Sequence, residues 1–377
     1  MPRLIATLVT GPAFVPLLRK VWDSGDTLLP LDIRLPKSAL DDLLEILRPS
    51  VLIDKSGTET KLARGVATQP GDALVVATSG TTGAPKGVVL THDAIRASAI
   101  ATSSRLRVDP SRDHWLACLP LAHIGGLSVI TRAVITDTPL TVQDGFDPDE
   151  VEGAACNGAT LVSLVTTALA RANTDRFRTV LLGGSSMPED LPSNVVTTYG
   201  MTETGSGVVY DGTPLDDVEV RSMDGELLIR SPMVGRCYRV GEKEISLVDK
   251  TGWLHTGDGG SVDPSTGAVS VTGRIGDVVV SGGEKIWPEP VEAILRNHPK
   301  VKDVGISGRP DPDWGSRVVA FVVALDAGDP PTLEELRGFV KAELPAYCAP
   351  RELLLRKELP RTPLGKLQRS LLDLDTD

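Results

Sequence analysis

Cysteine is scarce in this 377-residue chain: four thiols, Cys118, Cys156, Cys237 and Cys348, with no CxxC or CxxH spacing among them. That scarcity excludes a zinc site or disulfide framework and fits reduced thiols in a cytoplasmic protein. No run of about eighteen apolar residues occurs, which excludes a helical membrane span. The N-terminal MPRLIATLVTGPAFVPLLRKVW is broken by Pro12 and Pro16 and offers no convincing cleavage site, so it reads as fold rather than signal peptide. Basic residues are outnumbered, 39 Lys and Arg against 50 Asp and Glu, for a net charge of −11. A nucleic-acid binder needs a basic face, so that class is set aside. Anionic small ligands are not, because a few local cations can govern a cleft.

What the chain has is alternation. ALDDLLEILRPS, AIRASAIATSSRL and LSVITRAVI carry helical periods, while ALVVATSG, WLACLPL, TVLLGGS and VVTTYG are short apolar runs ending in turns, and TLVSLVTTALARA reads as a strand turning into a helix. Strands buried on both faces between helices predict an α/β fold with mainly parallel sheets. After Thr202 the texture changes. Asp224-Gly225 between two alternating runs signals a hairpin, and glycine-dense antiparallel strands follow, predicting a β-rich subdomain over about 203–272. The last hundred residues read as a small α+β domain. The predicted division is 1–275 and 276–377, at the segment GRIGD.

Between ALVVA and VVLTH lies TSGTTGAPKG, residues 78–87. Its glycines let successive N–H groups converge on an anion, hydroxyls add donors, and Lys86 supplies a point charge. The P-loop pattern is not met, because Pro85 stands where its second glycine belongs. The string closely resembles the phosphate loop of the acyl-adenylate-forming superfamily, which includes acyl- and aryl-CoA ligases, peptide-synthetase adenylation domains and luciferase. YGMTE (199–203), GWLHTGD (252–258), GRIGDVVVSGGEKI (273–286) and PRTPLGKLQR (360–369) resemble that family's later motifs in the family's order.

The resemblance implies ATP, Mg²⁺ and coenzyme A, two half-reactions in one cleft, and a mobile C-terminal domain that swings between them. It implies that Thr78, Ser79, Gly80, Thr81, Thr82, Gly83 and Lys86 serve the phosphates. Tyr199 packs along the adenine beside Gly200 and Met201, with Gly183, Gly184 and Ser185 as the opposite wall. Thr202 meets the α-phosphate and Glu203 the metal. Asp258 accepts from the ribose hydroxyls, and Arg274 adds a ribose contact. Catalytic Lys366 bridges the attacking carboxylate and the charge developing at phosphorus. Ser281, Gly282 and Gly283 line the CoA tunnel, and Lys285 follows them. The hinge falls on Gly276, where the family usually has Asp or Lys.

Two features bear on the acid. The phosphate loop begins only at Thr78, so the first subdomain is short for the family. CLPLAHIGGLSVITRAV (118–134) resembles the corresponding segment of the o-succinylbenzoate–CoA ligases of menaquinone biosynthesis. That resemblance implies an acyl pocket at His123, Gly125, Gly126, Ser128 and Arg132, with His123 in a catalytic or gating role and the last two as partners for a second substrate carboxylate. Arg132, one helical turn past Ser128, alternatively faces solvent. Other acyl- or aryl-CoA ligases, carrier-protein ligases and a catalytically silent nucleotide-binding relative stay open, as does a homodimer.

Overall fold

The computed structural model describes residues 1–79, 85–184, 190–361 and 367–373. The chain divides into two compact units: Met1–Val220 with Leu228–His255 and Pro264–Ala268, and Arg221–Leu227 with Thr256–Asp263 and Val269–Asp377.

The first unit holds two large sheets. In order across the first lie β17 (Lys243–Ser246), β16 (Cys237–Val240), β6 (Pro85–Thr91), β5 (Asp72–Ser79), β2 (Thr27–Pro30), β1 (Leu4–Thr7), β3 (Val51–Ile53) and β4 (Glu59–Lys61). Its centre, β5-β2-β1-β3, is parallel, and antiparallel strands extend both edges. Across the second lie β13 (Thr213–Pro214), β12 (Ser206–Tyr210), β11 (Val195–Met201), β10 (Thr179–Gly183), β9 (Leu161–Val165), β7 (Trp115–Ala117) and β8 (Leu140–Val142). Here β11-β10-β9-β7-β8 is parallel. β1 and β2 are buried at every position, as expected of strands covered on both faces.

Helices α1 (Phe14–Asp23), α2 (Lys37–Leu47), α3 (His92–Arg105), α4 (Ile124–Ile135), α5 (Pro148–Cys156) and α6 (Thr166–Leu169) belong to this unit. α2 buries Leu43 and Leu47 against Leu4, Leu29, Val75 and Val89 of the first sheet. α3 begins where Thr91 caps it, accepting from the Ala94 N–H, with Asp93 in its first turn and Arg105 in its last. It packs on β6, β12 and α4.

The strands after Thr202 do not form one sheet of their own. β12 and β13 extend the second large sheet, while β16 and β17 extend the first, because Cys237, Tyr238 and Arg239 register against Val89, Val88 and Gly87. β14 (Glu219–Met223), β15 (Glu226–Arg230), β18 (Leu254–Val262) and β19 (Val269–Arg274) make a four-stranded sheet. Asp224 and Gly225 both take left-handed φ, +52° and +84°, the geometry of the tightest hairpin turns.

In the second unit, β20 (Val279–Ser281) pairs with β21 (Glu284–Ile286), and β22 (Val301–Asp311), β23 (Gly315–Ala324) and β24 (Glu352–Leu355) form a sheet with α7 (Pro288–Arg296) and α8 (Leu333–Lys341). Val291 and Leu295 of α7 and Leu336 and Val340 of α8 bury against Val304, Ile306, Val318, Ala320 and Val322. α8 starts in a capping box of Thr332 and Glu335.

Candidate active site

The described residues of the TSGTTGAPKG segment lie at the ends of two antiparallel strands. β5 and β6 pair from Asp72↔Thr91 to Ser79↔Pro85, so Thr78 faces Lys86 and its hydroxyl reaches the Lys86 carbonyl at 3.4 Å. Gly80, Thr81, Thr82 and Gly83 lie outside the described residues, as do Ser185 and Lys366. The Lys86 ammonium stands 3.3 Å from the centroid of the Tyr238 ring.

YGMTE begins in β11 and ends in a 3-10 turn, Thr202–Thr204. Gly200 opposes Gly207, and a Cβ there would stand 2.2 Å from the Ser206 carbonyl, so close strand approach requires glycine. Thr204 is fully buried. Its hydroxyl donates to Ser206 O at 2.7 Å and accepts from Met201 N–H at 3.1 Å, which fixes the turn around Thr202 and Glu203. Glu203 is half-buried, and Tyr238 donates to its Oε1 at 2.6 Å. Among the described residues no other hydrogen bond reaches that carboxylate. Tyr199 is half-buried on the same strand. Gly183 ends the adjacent β10, and Gly184 has a left-handed φ of +105°.

His123 precedes α4, and its Nε2 lies 3.1 Å from Asp32 Oδ2 and 3.4 Å from Arg34 Nη2. Burial alone would raise the Asp32 carboxyl. Hydrogen bonds from Arg34 and His123 overcome it and hold the group well below the usual carboxylate range. Gly126 has a structural reason of its own: a Cβ would meet Leu119 O at 2.4 Å and Pro120 O at 2.6 Å. At Gly125 the nearest atom is a methyl of Leu119 at 3.7 Å.

Ser128 and Arg132 are one turn apart on α4 and both buried, so the solvent-facing alternative for Arg132 is excluded. The guanidinium is 1 % exposed. Its Nη2 donates to Ser206 Oγ at 3.0 Å and its Cζ lies 4.8 Å from the centroid of the Trp115 ring, while among the described residues Nε and Nη1 have no hydrogen-bond partner. Burial pushes its pKa down, against an opposing pull from Tyr210. Arg239 is equally buried, yet each of its three nitrogens has a partner: it donates to the carbonyls of Leu47, Ala67 and Val66. An arginine serving the fold alone looks like Arg239. Arg132 keeps two buried donor nitrogens that no acceptor meets among the described residues.

In the second unit, Asp258 lies within β18 opposite Arg274 of β19. Arg274 Nε is 2.8 Å from Asp258 Oδ1, and its Nη1 donates to Thr256 O at 2.9 Å. Gly259 leaves room for Trp287, whose ring stands 2.0 Å from where a Cβ would be. Ser281 is buried at the end of β20, and Gly282 and Gly283 form a two-residue turn into β21 with φ of +61° and +86°. That turn requires glycines by itself. Arg369, three residues past Lys366, pairs with Asp277, Glu289 and Glu292. Burial, against Arg369, pushes Glu292 up to about 7.

Thus Lys86 and Glu203 come together through Tyr238, Arg132 reaches the strand that follows the YGMTE turn, and His123 is tied instead to the loop after β2. Sequence reasoning missed Tyr238, Asp32 and Arg34. Tyr238 shows only strand alternation in CYRV. Asp32 and Arg34 sit in PLDIRLP, with nothing local to connect them to a histidine 91 residues away.

The AMP-binding enzyme family matches residues 54–239, and the AMP-binding enzyme C-terminal domain matches 290–366. A Mycobacterium tuberculosis protein named "Probable 2-succinylbenzoate–CoA ligase" is 40% identical over 323 residues, 80% of this chain and 83% of that one. Among solved structures, o-succinylbenzoate CoA synthetase (MenE) of Bacillus subtilis in complex with the acyl-adenylate intermediate OSB-AMP has a TM-score of 0.87 at 29% identity, covering 98% of this chain and 88% of that chain. The same synthetase in complex with ATP and magnesium ion has a TM-score of 0.83 at 28% identity, covering 98% and 89%. Ordered motifs, fold and relatives agree: the chain belongs to the AMP-binding enzyme family.

Proposed function

We propose that this protein is an ATP-dependent acid–CoA ligase whose acid is o-succinylbenzoate. In the first half-reaction one substrate carboxylate attacks the α-phosphorus of ATP, giving acyl-AMP and pyrophosphate. In the second the thiol of coenzyme A attacks the acyl carbon, giving the thioester and AMP. The observation that carries the choice of acid is Arg132, a buried guanidinium beside the YGMTE turn with two donor nitrogens unpartnered among the described residues. A monocarboxylic fatty or benzoic acid would leave that charge unpaired against hydrocarbon, whereas a dicarboxylate brings the missing acceptor.

Carboxylate and triphosphate repel, so the site has to neutralise charge and align the attack. The phosphate hairpin with Lys86 and Thr78 would hold the tail, Tyr199 and the Gly183-Gly184-Ser185 segment the adenine, and Thr202 the α-phosphate. Asp258 and Arg274 would take the ribose. A single half-buried carboxylate, with no cluster of three or more metal-ligating side chains among the described residues, suits Mg²⁺, which is commonly held by one or two carboxylates plus substrate phosphates. Glu203 would hold it, and when bound the ion screens the phosphate oxygens and assists pyrophosphate departure.

Lys366 would deliver its ammonium in the first half-reaction, and residues 276–377 would then swing to present Ser281-Gly282-Gly283 to coenzyme A. At Gly276 a Cβ would meet nothing within 4 Å and the φ is not left-handed, so this conformation does not require glycine. Freedom to rotate is the property left for it to supply. The four free thiols support a cytoplasmic setting.

Pyrophosphate release against a panel of acids tests the reading. Release with o-succinylbenzoate, and little with benzoate or medium-chain fatty acids, is expected. The reverse order would remove the choice of acid.

A further inference from the structure

The segment linking β15 to β16, with the start of β16, grips Glu203 at two points. The Gly235 N–H donates to the Glu203 carbonyl at 2.8 Å, and the Tyr238 hydroxyl donates to the Glu203 carboxylate at 2.6 Å. The same tyrosine holds the Lys86 ammonium against its ring face at 3.3 Å. Register explains the second contact. Tyr238 of β16 stands opposite Val88 of β6, so Lys86, two residues back on the same face, is its diagonal neighbour.

One phenol therefore engages both charged groups of the nucleotide site in the first unit. An ionised carboxylate only accepts, and a short O–H···O⁻ bond to one of its oxygens fixes its rotamer and leaves the second oxygen for another partner. A ring face opposite the ammonium restrains a four-carbon side chain whose free rotamers would otherwise have to be frozen on binding.

We propose that Tyr238 is a positioning residue for nucleotide activation: its hydroxyl sets the Glu203 carboxylate for the metal, and its ring sets Lys86 for the phosphates. The inference rests on the roles proposed above for Glu203 and Lys86, and it adds a residue outside the five ordered motifs.

The test is calorimetric titration of ATP into the full chain, with Mg²⁺ and with a chelator in its place, for wild type, Tyr238→Phe, Tyr238→Leu, Glu203→Gln and the Tyr238→Phe/Glu203→Gln double variant. Tyr238→Phe keeps the ring and loses only the hydroxyl. It is expected to weaken Mg²⁺-ATP binding about tenfold, the lower end for an outer-shell partner of a metal ligand, and to leave metal-free ATP binding unchanged. The double variant should bind no more weakly than Glu203→Gln alone, because the hydroxyl acts through that carboxylate. Tyr238→Leu, which also removes the ring, should weaken metal-free ATP binding as well. The proposal fails if Tyr238→Phe binds Mg²⁺-ATP like wild type, if it loses both forms equally, or if the two single losses add in the double variant. A wild-type protein that takes up no ATP in either condition would overturn the nucleotide reading itself, a result distinct from all three.

Discussion

Buried arginines usually end on carbonyls or carboxylates, and Arg239 does. Arg132 ends on one serine hydroxyl and a tryptophan face, so substituting it should separate stability from binding. Arg132→Met removes an under-compensated buried charge and keeps much of the volume. Thermal or denaturant unfolding should find the variant as stable as wild type, or more stable by about 1–4 kcal/mol. Steady-state kinetics should find the KM for o-succinylbenzoate raised at least about 30-fold, the lower end for stripping a buried charge of its partner, with the KM for ATP little changed. A destabilised variant with unaltered acid affinity would make the guanidinium a packing element. At this scale the sequence marks candidates where a motif or a spacing singles them out: Glu203 in YGMTE, and Ser128 and Arg132 one turn apart, with the roles proposed above. Tyr238 was not, because its meaning lies in a bond to a residue 35 positions earlier and a ring contact across two strands.

Elements explain several of the motif glycines without any ligand. Gly200 admits the neighbouring strand, Gly282 and Gly283 make a turn, and Gly126 lets α4 start against the backbone of Leu119 and Pro120. The adjacent pair on α4 gives a sharp comparison. Gly126→Ala forces a Cβ into two carbonyl oxygens and should cost about 1–3 kcal/mol in denaturant unfolding. Gly125→Ala has room and should be neutral, or stabilising by up to about 1 kcal/mol through helix propensity. Equal effects from the two would mean that α4 is not seated as described. Several elements were legible because their periods are clean: α2, α3, α4, the strands β5, β7, β9, β10 and β11 and the Asp224-Gly225 hairpin fall where pattern and turn residues put them. The destinations of β12, β13, β16 and β17 were not legible. Alternation marks a strand but not its neighbour, and these four leave the run of antiparallel sequence to extend the two large sheets.

For the whole molecule, family and reaction type were readable at a distance, because five motifs resembling those of one family recur in that family's order along the chain. The acid was readable only through the segment around His123. The central claim is that a substrate carboxylate attacks the α-phosphorus of ATP before coenzyme A takes the acyl group. Supplying o-succinylbenzoate with ¹⁸O in its carboxylates, together with ATP, Mg²⁺ and coenzyme A, and weighing the products by mass spectrometry, tests it most directly. The predicted result is o-succinylbenzoyl-CoA with AMP carrying one ¹⁸O, the bridging oxygen of the adenylate, and unlabelled pyrophosphate. Label in inorganic phosphate with ADP as the nucleotide product, or thioester formed with no label in AMP, would contradict it.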